Sequence, residues 1–163
     1  MKRLAILVLG ALFAICGAKG SYEHSVLFDL QGVAIEVREL NIQSDSFFLE
    51  AGEVESRAFG ALKDLEVRVL SDIELDVMPG QPYLEISIDV AHAQGPSHVY
   101  VLEVELREMA RLERPKDSVV TMAVPTWERK TLGVANRPEA ILGMMERLLR
   151  SFSDEMREAN YAD

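Results

Sequence analysis

Leu84, Ile86, Ile88 and Val90 alternate with Glu85, Ser87 and Asp89. After Gln94-Gly95-Pro96-Ser97 the pattern returns, with Tyr100, Leu102, Val104 and Leu106 alternating with Glu103, Glu105 and Arg107. A period of two puts each apolar set on one face of a strand. Two such strands around a Gly-Pro turn of about five residues predict an antiparallel hairpin with one buried and one wet face. Apolar must oppose apolar, which leaves two registers. One sets Leu84 opposite Leu106, Ile88 opposite Leu102 and His92 opposite His98. The other sets Ile88 opposite Val104 and Glu85 opposite Arg107. The second is expected, because the first opposes Glu85 to Glu105, and facing like charges are destabilising.

The flanking segments extend this frame. Residues 25–40 read as a strand, with Val33, Ile35 and Val37 alternating and Gly32 allowing a bend or bulge. Residues 41–46 read as a loop. Residues 50–64 predict a helix, with Ala51, Val54, Ala58, Ala61 and Leu65 at helical spacing and Glu50, Glu53, Glu55 and Arg57 pointing away. Residues 65–70 alternate again as a short strand, and 71–82 form a connector ending in Pro79-Gly80 and Pro82. Residues 118–127 are β-branched and apolar, a strand whose Pro125 suits a sheet edge. Residues 130–135 read as a loop. A last helix starts with Asn136 as cap and Glu139 at capping-box spacing, and carries the stripe Ile141, Met145, Leu148, Phe152 and Met156.

The order strand-helix-strand-strand-strand-strand-helix predicts an α+β two-layer sandwich. It has a mostly antiparallel sheet with two helices on one face. Residues 19–163 are expected to form one domain.

The amino terminus reads as an address. Lys2 and Arg3 precede an apolar run over 4–16, and 13 residues are too short for a bilayer core, which needs about 20. The run fits the h-region of a secretory signal, and Cys16-Gly17-Ala18 places small residues for cleavage after Ala18. A rival reading makes Cys16 a lipid-modified cysteine, but Ile15 fits that motif badly. Removing 18 of the 163 residues leaves 145 without any Cys, and losing Lys2 and Arg3 moves the formal charge from −10 to −12. No later segment is apolar enough for a membrane helix. The expected location is the periplasm.

Composition narrows the function classes. An excess of 27 Asp+Glu over 17 Lys+Arg argues against nucleic acid and anionic lipid surfaces. One Cys excludes a disulfide framework and any Cys₄ or Cys₂His₂ zinc site. No phosphate-binding glycine loop, Gly-x-Ser-x-Gly or His-Glu-x-x-His is present. His92 and His98 flank the hairpin turn and are the weak candidates for a metal, with no obvious third ligand. Glu85, Asp89, Glu103 and Glu105 share a face that alternation predicts to be wet. Trp127, the only Trp, is either an exposed partner anchor or a core-edge packer. Met144, Met145 and Met156 either line a plastic groove or belong to the core.

The run 30–40, the helix ending in Leu65-Glu66-Val67-Arg68-Val69-Leu70, Pro82-Tyr83-Leu84-Glu85-Ile86-Ser87-Ile88, the Tyr100 strand, Thr126-Trp127 and the Phe152 helix together resemble a widespread group of small exported bacterial proteins of uncharacterised function. The element order is also similar to α/β modules of envelope-assembly proteins, such as the amino-terminal domain of the Tol system's propeller protein. That likeness implies architecture alone, and no site residue follows from either.

The function expected from these features is non-enzymatic, a protein-interaction or assembly module of the cell envelope with a protein partner and no cofactor. The edge at 118–127 would accept a partner strand. The alternatives are a carrier of a small apolar ligand between the sheet and the Met-bearing helix, and a metal-assisted hydrolase around His92 and His98.

Overall fold

The computed structural model describes residues 26–44, 47–93, 96–114 and 118–161. The expected signal segment, with Cys16, lies outside them. The chain runs β1 (Ala34–Gln43), α1 (Ala51–Asp64), α2 (Asp72–Val77), β2 (Tyr83–His92), β3 (His98–Arg114), β4 (Ser118–Ala135) and α3 (Pro138–Tyr161). The sheet order is β1-β2-β3-β4. β1 is parallel to β2, and the other pairs are antiparallel. A single parallel bridge between Val33 and Val69 marks a fifth, one-rung strand beside the start of β1. The architecture is the expected α+β sandwich, with α1 and α3 together on one face.

The core lies between those helices and the sheet. Leu84, Ile86, Ile88, Leu102, Val104 and Leu106 are fully buried against Val54, Ala58 and Leu62 of α1 and Ile141, Met145, Leu149 and Phe152 of α3. Val54 and Ala58 of α1 and Ile141, Met145 and Phe152 of α3 lie on the stripes their spacing predicts, but Ala51 is exposed while Leu62 is buried, and Leu149 rather than Leu148 is fully buried. Full burial of each such aliphatic side chain contributes about 1.5–3 kcal/mol relative to exposure.

Several boundaries differ from expectation for identifiable reasons. β1 starts at Ala34, not at residue 25, because the preceding segment turns and sinks Leu27 into the core. The side chain of Asn160 holds that turn. Its Nδ2 donates to Leu27 O at 2.9 Å, and its Oδ1 accepts from Asp29 N at 2.8 Å. β1 then continues to Gln43 through a bulge at Arg38, which shifts its inward set from Ile35 and Val37 to Leu40 and Ile42. The bulge is therefore at Arg38 and not at Gly32. Gly32 instead permits close approach, since a Cβ there would meet Arg68 O at 2.9 Å.

α1 ends in a Schellman motif built without glycine. Glu66 is left-handed (φ 62°), Val67 N donates to Leu62 O at 2.9 Å, and Glu66 N donates to Lys63 O at 3.0 Å. The expected strand over 65–70 is thus helix cap followed by one bridge at Val69. The expected connector contains α2, closed by a capping box: Glu74 N donates to Ser71 Oγ, and Ser71 N donates to Glu74 Oε2 at 2.9 Å. α3 begins at Pro138, so Asn136 is not its cap. Asn136 Oδ1 accepts from Ser97 Oγ at 2.9 Å instead.

The β2–β3 register is the one not expected. Leu84 faces Leu106, Glu85 faces Glu105 and His92 faces His98. The facing carboxylates are tolerated because Arg107 lies diagonally across them. Its Nη1 reaches Glu85 Oε1 at 3.1 Å and Glu105 Oε2 at 2.9 Å, and Arg38 adds a bond to Glu85 at 2.9 Å.

Candidate functional site

The two candidate histidines lie at the hairpin end. His92 and His98 meet edge to face with ring centroids 5.4 Å apart. His98 is buried, lies 4.8 Å from the Phe47 ring, and pairs through Nε2 with Ser44 Oγ at 2.8 Å. Among the described residues the pair belongs to no group of three metal-ligating side chains.

The one such group among the described residues is Glu103, Glu105 and Glu128, on the sheet face turned away from the helices. Two of its three carboxylates already have protein partners. Lys130 Nζ donates to Glu103 Oε2 at 2.9 Å, and Arg107 pairs with Glu105. Glu128 is pushed above the usual carboxylate range, first by sharing a proton-mediated contact with Glu103 and then by partial burial. Asp89 stands apart and exposed, opposite Val101. Glu85 is buried under its two arginines, so the face is an ion-pair lattice at its centre and wet only around it.

Trp127 is a core-edge residue and not an exposed anchor. It is 3% exposed and packs on Phe152 with ring centroids 5.1 Å apart. Its Nε1 donates to Glu155 Oε2 at 2.9 Å, while Arg129 lies 5.2 Å from its ring and grips both oxygens of Glu155. Burial pushes the Glu155 carboxyl up, but the bonds from Trp127, Ser151 and Arg129 outweigh it and hold the group below its ordinary range. Met145 is fully buried, and Met144 and Met156 pack partly buried against the same core.

The sheet edges remain. β4 has 18 residues against 10 in β2, and among the described residues it pairs only with β3. Past the Tyr83–Arg107 pair, β3 and β4 continue alone as a ribbon, 108–114 against 118–124. Seven residues of strand extend roughly 20 Å. The ribbon is braced at its root, where Met109 N donates to Gly80 O at 2.6 Å.

A bulge at Thr126 sets the ribbon's faces. Leu106 pairs with Trp127 but Arg107 pairs with Pro125, so Thr126 is the extra residue. Pro125 therefore sits at a bulge on an edge strand, where its missing N–H is harmless. Across the bulge the inward series Thr131, Arg129, Trp127 gives way to Val124, Met122 and Val120. Met122 and Val119 are each 44% exposed and Leu112 41%. At the opposite end of β4, Leu132 (71%) and Val134 (65%) stand exposed beside Val99 and Val101. Edge strands in isolated domains usually carry charges that block pairing. Here Glu128 and Lys130 interrupt the middle, and both ends are apolar.

The expected loop over 130–135 hid half of this edge. Thr131 and Ala135 do alternate with Leu132 and Val134, but Gly133 masks the signal. Its place is set by Tyr100, whose ring lies where a Gly133 Cβ would be, at 2.5 Å. No protein-family model matches the chain, and no curated protein is similar enough to count as a relative.

Proposed function

We propose that this is an exported cell-envelope protein acting without catalysis, as an interaction or assembly module that pairs with a protein partner through β4. The observation that carries the reading is the 18-residue edge of β4, unpaired among the described residues, with Val119, Met122, Leu132 and Val134 exposed near its two ends. Such an edge offers main-chain hydrogen bonds to an added strand and apolar side chains for its specificity. Exposed apolar surface of this kind marks contact sites. Export rests on Lys2-Arg3, the apolar run and Cys16-Gly17-Ala18. Among the described residues no helix is long and apolar enough to cross a membrane.

Crosslinking in the native host, followed by mass spectrometry, tests the reading. The wild-type chain is expected to yield a discrete partner that the Met122→Lys, Leu132→Lys double variant loses while its circular dichroism is unchanged. Identical adducts from both chains would refute a contact through β4.

A further inference from the structure

The opposite edge carries a different surface. The ladder between 68–70 and β1 stops after one rung. Val33 N donates to Arg68 O at 3.0 Å, Leu70 N donates to Val33 O at 2.9 Å, and Ser71 then caps α2 and leads the chain away. Ala34 N bonds Pro82 O on the β2 side. Strand alternation therefore turns the N–H and C=O of Ile35 outward, like those of Val33. Two clefts adjoin this point. One, of about 640 Å³, lies under α1 and includes Phe59 and Val69. The other, of about 300 Å³, lies beneath α2 and includes Leu75, Tyr83 and Met109. Ala34, Ile35 and Asp72 line both, so the clefts flank the edge of β1 that no strand covers beyond Val33 among the described residues. Phe59 is 49% exposed beside it.

The charge around these clefts has one sign. Glu55, Asp72 and Glu36 line them, and no Lys or Arg does. Those three carboxylates make no ion pair among the described residues. Arg57 and Arg68, on the neighbouring elements, are engaged by Glu146 and Glu74 instead.

We infer that the β1 edge is a second docking surface, built for an extended segment of a partner protein that alternates apolar and basic side chains. The segment continues the rung that Val69 begins. Its backbone pairs with Ile35, its apolar side chains enter the clefts, and its Lys or Arg groups meet Glu36, Glu55 and Asp72. This site is independent of the β4 contact.

The test uses the ¹⁵N-labelled protein purified from its host and two soluble nonapeptides, one alternating Val and Lys, the other Val and Glu. The Val-Lys peptide is expected to shift the amides of Ile35, Val37, Phe59 and Val69. It is expected to bind about tenfold or more tightly than the Val-Glu peptide, with the gap shrinking in salt. The Glu36→Lys, Glu55→Lys, Asp72→Lys variant should reverse the preference, and Phe59→Ser should weaken the Val-Lys peptide without reversing it. Equal binding of the two peptides, shifts confined to residues 118–134, or no shift at millimolar peptide would overturn the inference. Shifts confined to 118–134 would still leave the β4 reading standing, and β4 crosslinks lost in vivo would leave this one standing.

Discussion

Arg107 donates to Glu85 at 3.1 Å from the neighbouring strand, and the Glu85 side chain beneath it is 7% exposed. A buried carboxylate held by two arginines is costly to strip of either one. Arg38 is 59% exposed, so Arg107 is the better-shielded partner. Arg107→Ala is expected to destabilise the fold by about 2 kcal/mol, since Glu85 and Glu105 would then face each other with less compensation. Replacing Glu85 and Arg107 together by Met should cost much less, because neither charge is left stranded. Urea unfolding of the three chains checks both statements.

That contact also explains what was illegible in the sequence. The hairpin, its faces and its apolar pairing are written in the alternation of 84–90 and 100–106. The register is not, because pairwise opposition weighs Glu85 against Glu105 alone. The deciding residue sits on the diagonal, and Arg38 arrives from a third strand through a bulge. Although Leu62 and Leu149 are buried where spacing pointed to Ala51 and Leu148, the two helical stripes were legible in part, for the same reason as the hairpin. The cap at Glu66 was not, because a left-handed residue is normally announced by Gly. α2 did have a signal, Ser71-x-x-Glu74, in a segment otherwise dominated by Pro and Gly. The β4 edge was half legible: 118–127 reads as strand, while Gly133 disguises the remainder.

Glu66 gives a simple prediction. Its left-handed backbone (φ 62°) costs a non-glycine residue about 1 kcal/mol, and its side chain is 89% exposed. Glu66→Gly should therefore raise stability by up to about 1 kcal/mol, less the added freedom of the unfolded chain. A loss of stability in thermal unfolding would show that the 3.9 Å contact with Arg157 matters more than the backbone.

Glu74 gives a pH dependence. The Ser71 backbone N–H, then Arg68 and the Ser71 hydroxyl, lower its carboxyl from 4.5 to about 2. A depressed folded value means that the contribution is complete above pH about 4.5 and disappears as pH falls towards about 2. Glu155 acts with the same sign, its loss beginning below the ordinary carboxylate value. Carbon-detected NMR titration should place the Glu74 midpoint at about 2, far below the ordinary carboxylate value. Ser71→Ala should move it upward, though not fully, since the backbone N–H remains.

Gly133 and Tyr100 form a steric lock. A Cβ at Gly133 would lie 2.5 Å from the Tyr100 ring, which is itself buried. Gly133→Ala is expected to cost about 1–3 kcal/mol through displacement of that ring. Tyr100→Leu in the same chain should relieve part of the clash, so the two changes should be less than additive by calorimetry.

Export predicts a mature chain that starts at Lys19. Intact-mass measurement of the protein from its native host should match that start with no lipid added, and Cys16→Ser should leave the mass unchanged. A diacylated chain beginning at Cys16 would support the lipoprotein reading instead.

The contact through β4 is tested most directly by a photo-crosslinking amino acid placed in the native host at Leu132, and separately at Arg150 on the exposed face of α3. The account predicts one discrete adduct from position 132 and none from position 150. No adduct from position 132, or the same adduct from both, would contradict it.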